Sequence, residues 1–335
     1  MYQIRDLTDS AVIYRELHDK QRYTFGDVER IARGFGNALV KKWRWQRGDR
    51  IVIFSPNDVD YGVAVYGALW AGATIAPANP GYGVKDLAFM IKDAGAKAII
   101  TQKSLLKVAI EAAQQAKLDK DCIILMGADE EGVRDAYHFK YLAKQYDQKD
   151  ARRPYKLEPD KDLAFLAYSS GTTGLPKGVM LSHRNIIADV LLIRNSVGSN
   201  YHWKSDKFLA VLPFFHIYGL TGLLHQPLHR GLEIVVMPAF NLEAFCDAIQ
   251  RHRITFVYVA PPVIVQLSRS AKVQEYDLSS LRMITSGAAP LTKELVALVH
   301  KKLNLKVNQA YGLSETSPMT HTQVSYTSRL TMARC

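Results

Sequence analysis

Cysteine is scarce: three stand in 335 residues, Cys122, Cys246 and Cys335, far apart and with no C-x-x-C pair or His/Cys cluster of ligand spacing. That pattern excludes a disulfide scaffold and a structural zinc site and points to a reducing compartment. No short repeat or low-complexity stretch is present, which excludes a solenoid or a fibrous chain. The first ten residues, MYQIRDLTDS, carry charge where a secretory leader needs an apolar run. Acidic residues are outnumbered, 32 against 43 lysines and arginines, giving a formal charge of +11. Such an excess suits an anionic ligand, but the basic residues are scattered, and clusters such as Lys41, Lys42, Arg44 and Arg47 read as solvated faces. No zinc-finger or RNP pattern appears, so no nucleic-acid partner is expected.

Charge itself is missing from two stretches, Tyr61 to Val84 and Phe208 to His229, each long enough on paper to cross a bilayer. The first is rich in Gly and Ala and ends in APANPGYG; the second contains Pro213, Pro227 and three histidines. Both read better as buried helix, strand and turn, and no membrane span is expected.

With 48% hydrophobic and 22% charged residues the chain can bury a sizeable core. From Arg50, strand-like runs (RIVIFSP, TIAPANP, AKAIIT, CIILMG) alternate with helix-length stretches (DYGVAVYGALWAGA, SLLKVAIEAAQQA). Strand, helix, strand at this pace implies an α/β fold with a parallel sheet covered by helices on both faces. A charged, aromatic connector runs from Asp129 to about Lys161. The second half alternates in the same way, through LAFLAY, LEIVVMP, a helix from about Leu242 to His252, ITFVYVAP, a helix from about Val263, LRMITSG and a helix from Thr292 to Lys302. The organisation expected is a first α/β subdomain with its connector over 1–160, a second over 161–323 and an irregular tail over 324–335. Ligands of such sheets sit at the interface.

The segment richest in chemistry is YSSGTTGLPKGVMLSH, Tyr168 to His183. Gly171, Gly174 and Gly178 allow tight backbone turns with N–H groups near an anion; the hydroxyls of Ser169, Ser170, Thr172 and Thr173 add donors, and Lys177 supplies countercharge. It is not a Walker P-loop, because Lys177 precedes Gly178 and the second glycine position is Pro176. Ser182 is placed to cap the helix that follows. No G-x-S-x-G elbow or Ser-His-Asp arrangement accompanies it.

This segment resembles the signature of the adenylate-forming superfamily, which includes acyl-CoA synthetases, 4-coumarate–CoA ligases, luciferases and nonribosomal adenylation domains. LPFFHIYGL (Leu212 to Leu220), SGAAPL (Ser286 to Leu291) and NQAYGLSETSP (Asn308 to Pro318) resemble the family's gating, adenine and second nucleotide motifs, in the family's order. The resemblance, strongest to 4-coumarate–CoA ligase-like enzymes, implies a large N-terminal domain of two sheet subdomains in alternating layers. It also implies ATP-dependent activation of a hydrophobic carboxylic acid, aromatic or medium-chain, to acyl-AMP, with transfer to coenzyme A in full-length relatives. Lys177, His216, Ser314 and Glu315 would be catalytic, with Glu315 near a magnesium ion. Gly287, Ala288, Ala289, Gln309, Ala310, Tyr311 and Gly312 would join Ser169, Ser170, Gly171, Thr172, Thr173, Gly174, Lys177 and Ser314 around the nucleotide. His216, Tyr218 and Gly219, with VYVAPP (Val257 to Pro262), would meet the acid.

Relatives carry a further subdomain and a mobile C-terminal domain, and neither is recognisable after Gln323; the chain is therefore expected to be truncated. A non-catalytic remnant that binds nucleotide or a partner is the alternative expectation. Ala239 stands where many CoA-ligating relatives carry a basic residue. The expected location is cytoplasmic, or peroxisomal in full-length relatives, although Ala333-Arg334-Cys335 is no peroxisomal address.

Overall fold

The computed structural model describes residues 8–128, 137–148, 152–153, 155–169, 176–197 and 201–323. Along the chain the strands are β1 (Val12–Glu16), β2 (Arg22–Thr24), β3 (Arg50–Phe54), β4 (Thr74–Ala78), β5 (Ala96–Gln102), β6 (Ile123–Met126) and β7 (Tyr137–His138). There follow β8 (Leu163–Ser169), β9 (Lys177–Ser182), β10 (Lys207–Ala210), β11 (Glu233–Val236), β12 (Phe256–Val259), β13 (Met283–Ser286), β14 (Val307–Gly312) and β15 (Met319–Thr322). They form two sheets, ordered β7-β6-β5-β3-β4-β8-β9 and β15-β14-β13-β12-β10-β11-β1-β2. Interior pairings are parallel; the hairpins β1/β2, β8/β9 and β14/β15 are antiparallel.

Burial on both faces explains the continuous apolar runs of the central strands. In β3, Ile51 and Ile53 face a core shared with the second sheet, whereas Val52 and Phe54 face the helices Val84–Ala94 and Leu106–Ala116. In β10, Phe208 and Ala210 join that shared core, and Leu209 faces the helices Leu242–His252 and Pro261–Arg269. The period of two along each strand thus serves two layers at once, and helices and sheets alternate through the molecule.

The partition of the chain differs from a cut at residue 160. The N-terminal hairpin β1/β2 joins the second sheet, through β1 on β11, and the hairpin β8/β9 joins the first, through Ile75 opposite Phe165. Which strand pairs with which is a long-range choice that a strand's own residues do not mark, so composition alone does not assign these hairpins to a sheet. The connector also carries structure: β7 and the helix Phe139–Gln145, whose Phe139 packs edge-on against Phe35 at 5.7 Å.

Both charge-free stretches are internal. The first is the buried helix Val59–Trp70 followed by β4; the second breaks into β10, a turn and the helical segment from Ile217 to Arg230. Among the described residues no helix is long and apolar enough to cross a membrane. Two buried polar residues fasten the layers. Asp60 accepts from Tyr23 Oη, Gln21 Nε2 and the Gly127 amide, tying β2 to the first sheet. Asn57, just past β3, donates to the Leu212 carbonyl at 2.9 Å and accepts from the Phe214 amide at 2.7 Å.

Candidate functional site

The Asn57 bonds fix the start of the HIYG segment, which is where the site begins. His216 caps the short helix that follows, its Nδ1 accepting from the Tyr218 amide at 3.3 Å. Beside it β13 ends at Ser286, opposite Gln309 of the parallel strand β14, which continues to Gly312. Their C-terminal ends bring Gly287–Ala288 and Tyr311–Ser314 against the HIYG turn around a cavity of about 170 Å³. Ligands of open α/β sheets bind at this end of the strands.

Each wall has a physical reason for its residue type. A β-carbon on Gly287 would lie 3.0 Å from the Tyr218 ring and 3.3 Å from the Ala310 carbonyl oxygen, so a larger residue there would press on the Tyr218 ring. Ala288 holds φ at +74°, a left-handed conformation rare for a residue with a side chain and a frequent mark of functional turns. Tyr218 is buried and stacks on Tyr258 at 5.8 Å; burial raises its phenol pKa well above the ordinary value, so it is a neutral wall and no base. Desolvation lowers the His216 pKa even though part of its ring is exposed. With Nδ1 engaged as an acceptor, the neutral ring carries its proton on Nε2 as a donor. Tyr311 is 59% exposed and leaves a ring face open for stacking.

Of the residues singled out from the sequence, His216, Tyr218, Gly287, Ala288, Ala310, Tyr311, Gly312 and Ser314 line this cavity. Gly219, Ala289, Gln309 and Glu315 adjoin it along the chain without lining it. In VYVAPP, Tyr258 stands behind Tyr218 rather than on the cavity surface. Ser169 and Lys177 face each other where β8 ends and β9 begins, at the connecting end of the hairpin, and the turn Ser314–Thr316 comes within 8 Å, Cα to Cα, of both strands. Ser170, Gly171, Thr172, Thr173 and Gly174, like the tail over 324–335, lie outside the described residues. Among the described residues no three His, Cys, Asp or Glu side chains form a metal cage. One carboxylate, Glu315, is what a magnesium ion held largely by phosphate oxygens requires.

Pro318 and Met319 also line the cavity, and two residues hold that segment from behind. The Thr221 hydroxyl donates to the Ser317 carbonyl at 2.9 Å, and Asp189 Oδ1 accepts from the Met319 amide at 3.2 Å. Sequence reading missed both. The one signal was a lone carboxylate inside the apolar helical run IIADVLLI.

Comparison with known proteins places the chain in one family. The family described as "AMP-binding enzyme" matches residues 5–334. The chain is 34% identical over 301 residues to 4-coumarate–CoA ligase 1 of Petroselinum crispum, covering 89% of this chain and 54% of that protein. It is 36% identical over 305 residues to 4-coumarate–CoA ligase 2 of Nicotiana tabacum, covering 90% and 54%. It therefore spans about half the length of these relatives. Among solved structures, a long-chain-fatty-acid–CoA ligase from Archaeoglobus fulgidus superimposes with a TM-score of 0.83 at 25% identity, covering 95% of this chain and 64% of that one. A red-emitting luciferase from Phrixothrix hirtus does so with a TM-score of 0.84 at 25% identity, covering 94% and 60%.

Proposed function

Because the chain belongs to the AMP-binding enzyme family, we propose that it binds ATP and a hydrophobic carboxylic acid, aromatic or medium-chain, and joins them as an acyl-adenylate. The observation that carries this reading is the cavity on which His216, Gly287, Tyr311 and Ser314, from three motifs far apart in the chain, converge.

In the reaction, a carboxylate oxygen of the acid attacks the α-phosphorus of ATP, the bond to the bridging oxygen breaks, and pyrophosphate leaves. Gly287 and Ala288 place backbone against the base while Tyr311 stacks on it. The Ser314 hydroxyl donates to the α-phosphate, and His216 Nε2–H orients the incoming carboxylate. Lys177 and Ser169, at the connecting end of the β8/β9 hairpin, screen the departing phosphates. Glu315 would help hold a magnesium ion brought with the nucleotide, and that ion would supply charge screening for the phosphates. Ile217, Tyr218, Leu313 and Met319 give the acid an apolar lining. As the named activity of the 4-coumarate–CoA ligases implies for their full length, the acyl group then passes to the thiol of coenzyme A with release of AMP.

The test is acid-dependent ATP–pyrophosphate exchange across aromatic and aliphatic carboxylates. Exchange is expected with hydrophobic acids and falls on the order of a hundredfold in Lys177→Ala. ATP binding without exchange for any acid would contradict adenylation and leave a nucleotide-binding protein.

A further inference from the structure

The nucleotide motif sits in an exposed place for something that must hold an aromatic ring and a phosphate. β15 is the outermost strand of its sheet, with β14 as its neighbour, and the turn between them has bonds of its own, such as the Leu313 amide to the Pro318 carbonyl at 3.0 Å. Those bonds shape the turn without fixing it to the body. Two side chains from the interior do so: Thr221 on the Ser317 carbonyl and Asp189 on the Met319 amide.

Asp189 is a costly way to make that bond. Its side chain belongs to helix His183–Val197, is 2% exposed, and its Oδ2 has no hydrogen-bond partner among the described residues. A carboxylate buried with a single amide partner weakens the fold, and a neutral acceptor would hold the amide at less cost. What ionisation adds is a stronger, charge-assisted grip on one N–H. Met319 lies opposite Gly312 in the β14/β15 register, one residue from Tyr311, so a displaced Met319 displaces the cavity wall.

We propose that Asp189 is a positioning residue of the nucleotide site: by holding the Met319 amide it sets the place of Tyr311 to Ser314, a role that rests on the nucleotide-binding reading above. Burial raises its carboxyl pKa to about 7, opposed only by the Met319 amide. His183, Arg184 and Arg194 of its own helix do not figure in that shift. Nor do His225, His229 and Arg230 of the neighbouring helical segment, or Glu315 and His321 of the loop and strand it holds. The grip therefore tightens as pH rises through this value, while the fold bears more of the burial cost over the range from the ordinary carboxylate value upward.

The experiment titrates ATP against the 335-residue chain and its Asp189→Ala and Asp189→Asn variants at pH 8, and follows Met319 amide hydrogen exchange without nucleotide. Asp189→Ala should speed Met319 exchange and weaken ATP about tenfold, whereas Asn, which keeps an acceptor oxygen, stays within about threefold of wild type. In the wild type, Met319 protection, corrected for the intrinsic rate, should rise between pH about 6 and about 8 and be flat in Asp189→Asn. That profile needs no alanine variant to fold. Faster Met319 exchange with unchanged ATP affinity in Asp189→Ala overturns the proposal, as does a flat wild-type profile. A wild-type chain that binds no ATP contradicts the functional reading first and this proposal with it.

Discussion

Gly219 stands where a β-carbon would lie 2.1 Å from the Pro213 carbonyl oxygen, well inside contact distance. Its use is to let the chain turn back on itself so that His216 and Tyr218 reach the cavity. Gly219→Ala is expected to cost about 1–3 kcal/mol through overpacking, measured as a lower thermal midpoint, and to weaken ATP binding as the turn shifts. At this scale the sequence is informative where a motif resembles the family's: His216, Gly287, Tyr311 and Ser314, singled out by that resemblance, line the cavity. Asp189 and Thr221 are not, since each touches backbone of a distant segment, and a bond to backbone leaves no trace in its partner's identity.

The helix His183–Val197 links the two parts of the site, following the β8/β9 hairpin and carrying Asp189. Its start is fixed by a reciprocal cap: Ser182 Oγ accepts from the Asn185 amide at 3.2 Å, and Asn185 Oδ1 accepts from the Ser182 amide at 2.9 Å. Ser182→Ala should therefore lower stability by about 1 kcal/mol, seen as a lower denaturant midpoint with an unchanged slope. This cap is legible in advance, as are the strands β3 to β6 and the helix Leu242–His252, because apolar period and capping residues point the same way. The helix Val84–Ala94 escapes the sequence reading although Leu87, Ala88, Met90, Ile91 and Ala94 mark its buried face. Its Gly-rich approach, NPGYG, draws attention to the turn instead.

For the whole molecule, the α/β layering follows from alternating runs, but the exchange of hairpins between sheets does not, because strand pairing is a long-range choice among similar apolar segments. That exchange has a consequence for the site. The β8/β9 hairpin, which carries Ser169 and Lys177, belongs to one sheet, and the cavity belongs to the end of the other, so the proposed reaction would draw on residues of both sheets. A larger cavity, about 760 Å³, lies elsewhere, lined in part by Lys20, Arg30, Lys140 and Lys144 and by the carboxylates of Glu16 and Asp58. A crystal structure of the chain with ATP decides between them most directly. The adenine is expected between Tyr311 and the Gly287–Ala288 backbone, with the phosphates running toward Lys177; ATP seated among Lys20, Arg30, Lys140 and Lys144 would contradict this placement.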